Sequence, residues 1–413
     1  MIRRPHVLLD DARNGRLGLF EGPCGAVTAW GAEEVPAALQ ALNRAVADGF
    51  HAAGYFAYEL GYALEPRLKR LLPKKRGVPL LWFGLFRGMR ELSGAEGEAW
   101  FGARTSGRAY AGPLRPAMDA QAYGARFRRL QDYITAGDVY QVNLTFPARF
   151  AFAGDPLALY RRLRGQAGGA HCAYVFDGER SVLSLSPELF FSLRNGVVTS
   201  RPMKGTAPRG HDDTSDARLK SALSASVKDR AENLMIVDLI RNDLGRVAKT
   251  GSVRVGELFA VETYPTVHQM VSTVSADLRP GMAPSDLIAA MFPCGSITGA
   301  PKIHAMEIVR ELEIAPRGLY CGAIGRFSPD GSADFNVAIR TLTISAGTGE
   351  LGVGGGVVAD SAEADEYEEC LIKARYYTVA REPLSLIETL KFEPKRGFLR
   401  GAAHLDRLAR SAK

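Results

Sequence analysis

The stretch 201–210, RPMKGTAPRG, sets Lys204 among Pro, Met, Gly and Thr. A solvated surface lysine is the ordinary reading of such a residue. The other is a lysine held in a tight, rigid turn because its amine reacts. A nucleophilic amine must be neutral, which takes desolvation or a neighbouring cation. Further along, KDRAENLMIVDLIRNDLG spaces Asp229 and Glu232 so that they share a helix face, continued by Ile236 and Ile240. Acids on an apolar stripe are costly to bury unpaired. EADEYEECLIK repeats the device with Glu366, Glu369 and Lys373. Two helices that each offer a pair of acids could hold a hard cation such as Mg2+, completed by water and substrate oxygens. Two solvated acidic faces are the alternative.

Two further segments bear on anions. NVAIRTLTI places Arg340 inside an apolar strand, where a guanidinium pairs with a carboxylate of the protein or of a ligand. GVGGGVV lines up Gly354, Gly355 and Gly356, a run that lets backbone N–H groups approach an anion closely. It lacks the strand–helix context and the GxGxxG spacing of a dinucleotide site.

The elements that must position these residues come in blocks. PAALQALNRAVADG has helical spacing and ends at Gly49. AAGYFAYELGYAL and VPLLWFGLFRG read as buried β segments. Residues 91–116, rich in Gly, Ala and Ser, read as a connector between an N-terminal part (1–90) and a core (117–381). AQAYGARFRRLQDYITAGD predicts a helix ending near Gly137; VYQVNLTFPARFAF, HCAYVFDG, SVLSLSPELFFSLRNG and VVTSRPMKG predict strands, with a hairpin turn at Asn195-Gly196. One long helix is expected from about Asp216 to Val247, then hairpins punctuated by Asp330-Gly331 and Gly347–Gly349, and a last helix over EADEYEECLIKARYYTVA. Blocks rather than strict alternation predict an α+β fold with large, mostly antiparallel sheets.

Composition narrows the function classes. The 413 residues carry a net charge of +7, too mild and too dispersed for nucleic-acid binding, although a positive field suits an anionic small substrate. The basic run at 67–76, RLKRLLPKKR, reads as a solvated helix end and loop. No run of apolar residues is long enough for a transmembrane helix, and Asp10 and Asp11 interrupt the N-terminus before a signal-peptide core forms. Five scattered cysteines without a CxxC pair predict reduced thiols in a cytoplasm, with neither a disulfide framework nor a zinc site.

SPELF, PMKGTAPRG, AENLMIVDLIRNDLGRV, FPCGSITGAPKIHAMEIV, GLYCGAIGRF, NVAIRTL and GGGVVADSAEADEYEECLIKA occur in an order that resembles the chorismate-utilising enzymes. Within them the chain is most similar to the synthase component of the aminodeoxychorismate synthases, in para-aminobenzoate and folate formation. The resemblance runs from about Pro5 to Arg381. It implies two large facing antiparallel sheets flanked by helices, and amination of chorismate at C4. By the same resemblance Lys204 attacks C2 to form a covalent adduct, and Glu188 of SPELF is the general acid. Glu232 and Glu369 match Mg2+ ligands, with Asp229 and Glu366 as flanking acids. Tyr320, Arg340, Gly354 and Gly356 match positions that bind the enolpyruvyl side chain and its carboxylate. Ser296, Thr298, Thr206 and Lys373 are further substrate-binding positions by match.

The sister activities differ at named places. Anthranilate synthases usually carry a small residue where Lys204 stands. They also carry a histidine where this chain has Gln269, with His268 displaced by one. LLDD and GGAHCAYVF replace the pieces of the family's tryptophan site. Anthranilate synthase component I is therefore the rival reading, and a non-catalytic scaffold for an amidotransferase is a second. No Cys-centred glutaminase turn is present, so the resemblance implies a separate glutamine amidotransferase subunit that feeds ammonia. Residues 382–413, with LIET, GF and HLDRLARSA, are similar to the opening of aminodeoxychorismate lyase and other fold-type IV pyridoxal-phosphate enzymes. No cofactor lysine follows, so no pyridoxal phosphate is expected.

Overall fold

Period-two alternation of apolar residues builds the sheets. In His6–Asp11, Val7 and Leu8 point to opposite faces and both are fully buried, so this strand is covered on two sides. It belongs to an eleven-stranded sheet. A nine-stranded sheet contains His51–Phe56, Leu189–Arg194 and Ala323–Phe327. The pairings described in both are antiparallel. The computed structural model describes residues 4–12, 14–105, 107–167, 169–264, 267–379 and 387–411.

The two sheets face each other. Val7, Phe20 and Val182 of the first meet Tyr55, Phe86 and Ile324 of the second in one apolar layer. Their other faces, with Leu8, Leu183, Phe56 and Phe335, join a larger core shared with helix residues such as Leu130, Ile236 and Met306. Burying each large apolar side chain contributes roughly 1.5–3 kcal/mol. This is the α+β arrangement the sequence predicts. No helix among the described residues is long and apolar enough to cross a membrane.

Several expectations are corrected. The stretch 91–116 carries a helix, Gly94–Arg104, and short strands. Ser93 starts that helix through a capping box with Glu96, a signal hidden in a Gly- and Ala-rich composition. The single helix expected over 216–247 is two, Asp213–Ala225 and Val227–Gly245. Ser226 breaks it: extended itself, it caps the second helix by accepting from the Asp229 N–H at 3.2 Å. The segment AAGYFAYELGYAL is strand only as far as Phe56 and turns into the short helix Leu60–Leu64. Arg340 lies between strands, at φ 49°, and not inside one.

The chain divides into two units, Met1–Ala380 and Arg381–Lys413. In the second, Phe392–Glu393 and Gly397–Phe398 form a small hairpin followed by the helix Gly401–Ser411. Glu388 accepts from His404 and Arg407 there.

Candidate active site

Lys204 sits in the strand Met203–Pro208, paired with Val267–Val271. The register slips between Met203 and Thr206, which is where Lys204 and Gly205 lie. Gly205 has φ +96°, and a Cβ there would stand 3.0 Å from Asp229 Oδ1, so a side chain is excluded twice. The slip lets the Asp229–Glu232 helix approach. Lys204 Nζ lies 3.5 Å from Glu232 Oε2, and both side chains are largely buried. Asn233 clamps the bulge from the same helix: its Nδ2 donates to the Lys204 carbonyl at 3.3 Å, while its Oδ1 accepts from Ser272 at 2.5 Å.

Gly354, Gly355 and Gly356 lie toward the end of a strand, Thr348–Val357, paired residue for residue with 142–151. Their missing side chains provide room. A Cβ on Gly356 would stand 2.6 Å from Lys204 Nζ, and one on Gly355 2.9 Å from Glu366 Oε2. The Gly354 carbonyl accepts from Lys373 Nζ at 3.0 Å.

Glu188 faces the lysine strand from another side. It is 3% exposed and accepts from Ser296 Oγ at 2.7 Å. Burial pushes its carboxyl up to about 7, against the opposing pull of Ser296, the Met203 N–H and Lys204. A carboxyl half-protonated near neutrality suits a general acid.

The single helix expected over EADEYEECLIKARYYTVA is two, Glu363–Ile372 and Arg375–Val379, and in the first of them Glu366 and Glu369 both feel the charge of Lys204. Glu366 Oε1 accepts from Ser361 at 2.6 Å, and burial raises its carboxyl. Partial burial also opposes ionisation of the half-exposed Glu369, but Lys373, 2.7 Å away, together with Lys204 and Lys228 lowers that carboxyl. Among the described residues no three acids stand close enough to chelate an ion as they are. Mg2+ needs only one or two carboxylates besides water and substrate oxygens. Glu232 and Glu369, from separate helices around one lysine, supply that hard-oxygen donor set, so the residues present fit such an ion.

Arg340 has no carboxylate partner among the described residues, and burial works against its charge. Of the two readings of a buried guanidinium, a protein salt bridge is not observed. Tyr320 packs its ring over Gly352, where a Cβ would stand 2.2 Å from Cγ. Ser296 reaches the site through Glu188. Thr298 is fully buried, with its hydroxyl spent on the Cys294 and Gly295 carbonyls at 3.2 Å, so it shapes the turn. Thr206 is exposed and donates to Gln269 Oε1 at 3.0 Å.

Two residues escaped the sequence reading. Gln141 is fully buried, and neither of its amide atoms has a hydrogen-bond partner. Its Nε2 would stand 2.9 Å from a Cβ on Gly356, beside Lys204. The signal was the polar alternation Gln141, Asn143, Thr145 in QVNLTF, which puts three polar side chains on one strand face. Arg317 is buried against Glu313 at 2.7 Å and donates to the Ile297 and Asn143 carbonyls at 2.8 and 2.7 Å. It ties the Ser296 turn to the Gln141–Gly154 strand. His268, by contrast, is a packed residue between Asp216 at 3.0 Å and Thr263 at 3.1 Å.

A profile described as chorismate binding enzyme matches residues 4–378, and the chain belongs to that family. It is 48% identical over 279 residues to aminodeoxychorismate synthase component 1 of Klebsiella aerogenes, covering 67% of this chain and 62% of the relative. It is 42% identical over 274 residues to anthranilate synthase component 1 of Thermus thermophilus, covering 66% of this chain and 59% of the relative. The match thus spans less than two thirds of either relative. In fold it is similar to anthranilate synthase component I from Streptococcus pneumoniae TIGR4, with a TM-score of 0.77 at 24% identity over 89% of this chain and 92% of that one.

Proposed function

We propose that this chain aminates chorismate at C4 to give 4-amino-4-deoxychorismate. The observation that carries the reading is Lys204 itself. Its amine stands between Glu232 and the space left by Gly356, with the protonatable carboxyl of Glu188 close by. Glu232 is an acceptor at hand for the proton that Lys204 sheds. The neutral amine bonds to C2, the two ring double bonds shift, and the C4–O bond breaks. Glu188 gives its proton to the departing hydroxyl, which leaves as water. Ammonia then bonds to C4, the double bonds shift back, and the C2–N bond breaks to release Lys204. The product departs with its new C4 substituent as an ammonium, Glu232 returns its proton to Lys204, and solvent returns a proton to Glu188.

Arg340 and Tyr320 bind the enolpyruvyl carboxylate and side chain, and the glycine strand leaves room for the ring. Glu232 and Glu369 hold Mg2+, with Asp229 and Glu366 beside them; the ion supplies positive charge for the ring carboxylate. A glutamine amidotransferase partner supplies ammonia, consistent with relatives named as a first component. The five cysteines, all free, suit a reducing cytoplasm. The second reading is anthranilate formation, favoured by the Thermus thermophilus relative. Incubation of the purified chain with chorismate, Mg2+ and ammonium separates them: 4-amino-4-deoxychorismate without pyruvate supports amination, and pyruvate with anthranilate refutes it.

A further inference from the structure

The helix that carries Glu366 and Glu369 ends at Ile372, and after a turn at Lys373 and Ala374 the short helix Arg375–Val379 carries Tyr376. Its neighbour Tyr377 faces away, and donates to the Gly112 carbonyl at 2.7 Å. Tyr376 does not spend its hydroxyl in this way. The phenolic oxygen is buried and meets no hydrogen-bond partner. A phenylalanine would give the same packing without an orphaned polar atom, so packing alone does not explain the hydroxyl.

The group within electrostatic reach of Tyr376 that matters is Arg340. A guanidinium carries five N–H donors and stays charged, yet here no carboxylate meets it among the described residues. Arg340 is a cation that meets no carboxylate among the described residues, and Tyr376 is a phenol whose buried oxygen meets no hydrogen-bond partner. A ligand carboxylate satisfies both.

We propose that Tyr376 is a substrate-binding residue whose O–H donates to the carboxylate that Arg340 binds. The inference rests on the chorismate reading above, in which that group is the enolpyruvyl carboxylate. Tyr376 then adds a neutral donor beside the guanidinium and helps to select substrates that present a carboxylate at this end.

The test is Tyr376→Phe in the full chain. Chorismate affinity is measured by calorimetry, steady-state kinetics with ammonium and Mg2+ give KM and kcat, and thermal melting reports the fold. A hydrogen bond to a charged group predicts about a tenfold weaker Kd and higher KM. kcat and Tm should stay within about twofold and a degree or two, since no packing is lost. An unchanged Kd and KM would overturn the assignment, as would a fall in Tm with unaltered binding, which marks a structural tyrosine. Wild-type protein that binds no chorismate would instead sink the functional reading itself.

Discussion

Ser296 Oγ donates to Glu188 Oε1 at 2.7 Å inside a site where the carboxyl is otherwise cut off from water. The bond stabilises the ionised form, yet burial still holds the group near 7 instead of its ordinary 4.5. An acid catalyst works while protonated, so turnover should fall as pH rises through about 7. Glu188→Gln should remove this limb along with nearly all activity. A rate profile in Glu188→Gln with wild-type height and shape would exclude Glu188 as the acid.

The same shift carries a stability sign. A carboxyl raised on folding favours the native state fully below its unfolded value and progressively less as pH rises through the folded one. Stability should therefore decline between about pH 4.5 and 7, by up to about 3 kcal/mol for Glu188. Glu59, buried and also held near 7, contributes a similar decline. Denaturant melts across this range should show a shallower fall in Glu188→Gln than in the wild type. Identical slopes would mean that Glu188 ionises without penalty.

Gly356→Ala puts a methyl group 2.6 Å from Lys204 Nζ and 2.9 Å from Gln141 Nε2. Both atoms end flexible side chains, so they swing aside at little cost to the fold. Amination should drop at least a hundredfold, since a misplaced nucleophile loses its alignment, while Tm moves by no more than a few degrees. Retained activity would show that the amine does not work where it now lies.

Glu369→Gln removes one charge of the proposed ion site and frees Lys373 from its 2.7 Å partner. The Mg2+ concentration for half-maximal activity should rise at least tenfold. An unaltered Mg2+ requirement would take Glu369 out of that site.

Much of this was legible in the sequence, for physical reasons. Helical spacing was enough to put Asp229 with Glu232, and Glu366 with Glu369 and Lys373. Turn chemistry at Asn195-Gly196 fixed a hairpin, and both residues have positive φ. What stayed hidden depends on partners far along the chain. Ser226 looked like a helix residue until its hydroxyl was seen capping Asp229. Gln141 looked like an ordinary strand residue because nothing local reveals that its amide is left without a partner. The glycine run suggested close approach of backbone to an anion, and the sequence alone does not reveal that Lys204 and Glu366 fill the space its missing side chains leave. For Arg340 the sequence left a protein and a ligand carboxylate equally open, and among the described residues the fold brings no carboxylate to it.

The most direct test is of the Lys204 amine. Intact-protein and peptide mass spectrometry after incubation with chorismate and Mg2+, but no ammonia, should show chorismate less one water added to the peptide that contains Lys204. The same experiment on Lys204→Arg, whose side chain stays protonated, should show no addition and no amination. Normal 4-amination by Lys204→Arg would contradict the account and return Lys204 to the role of a charged side chain beside Glu232.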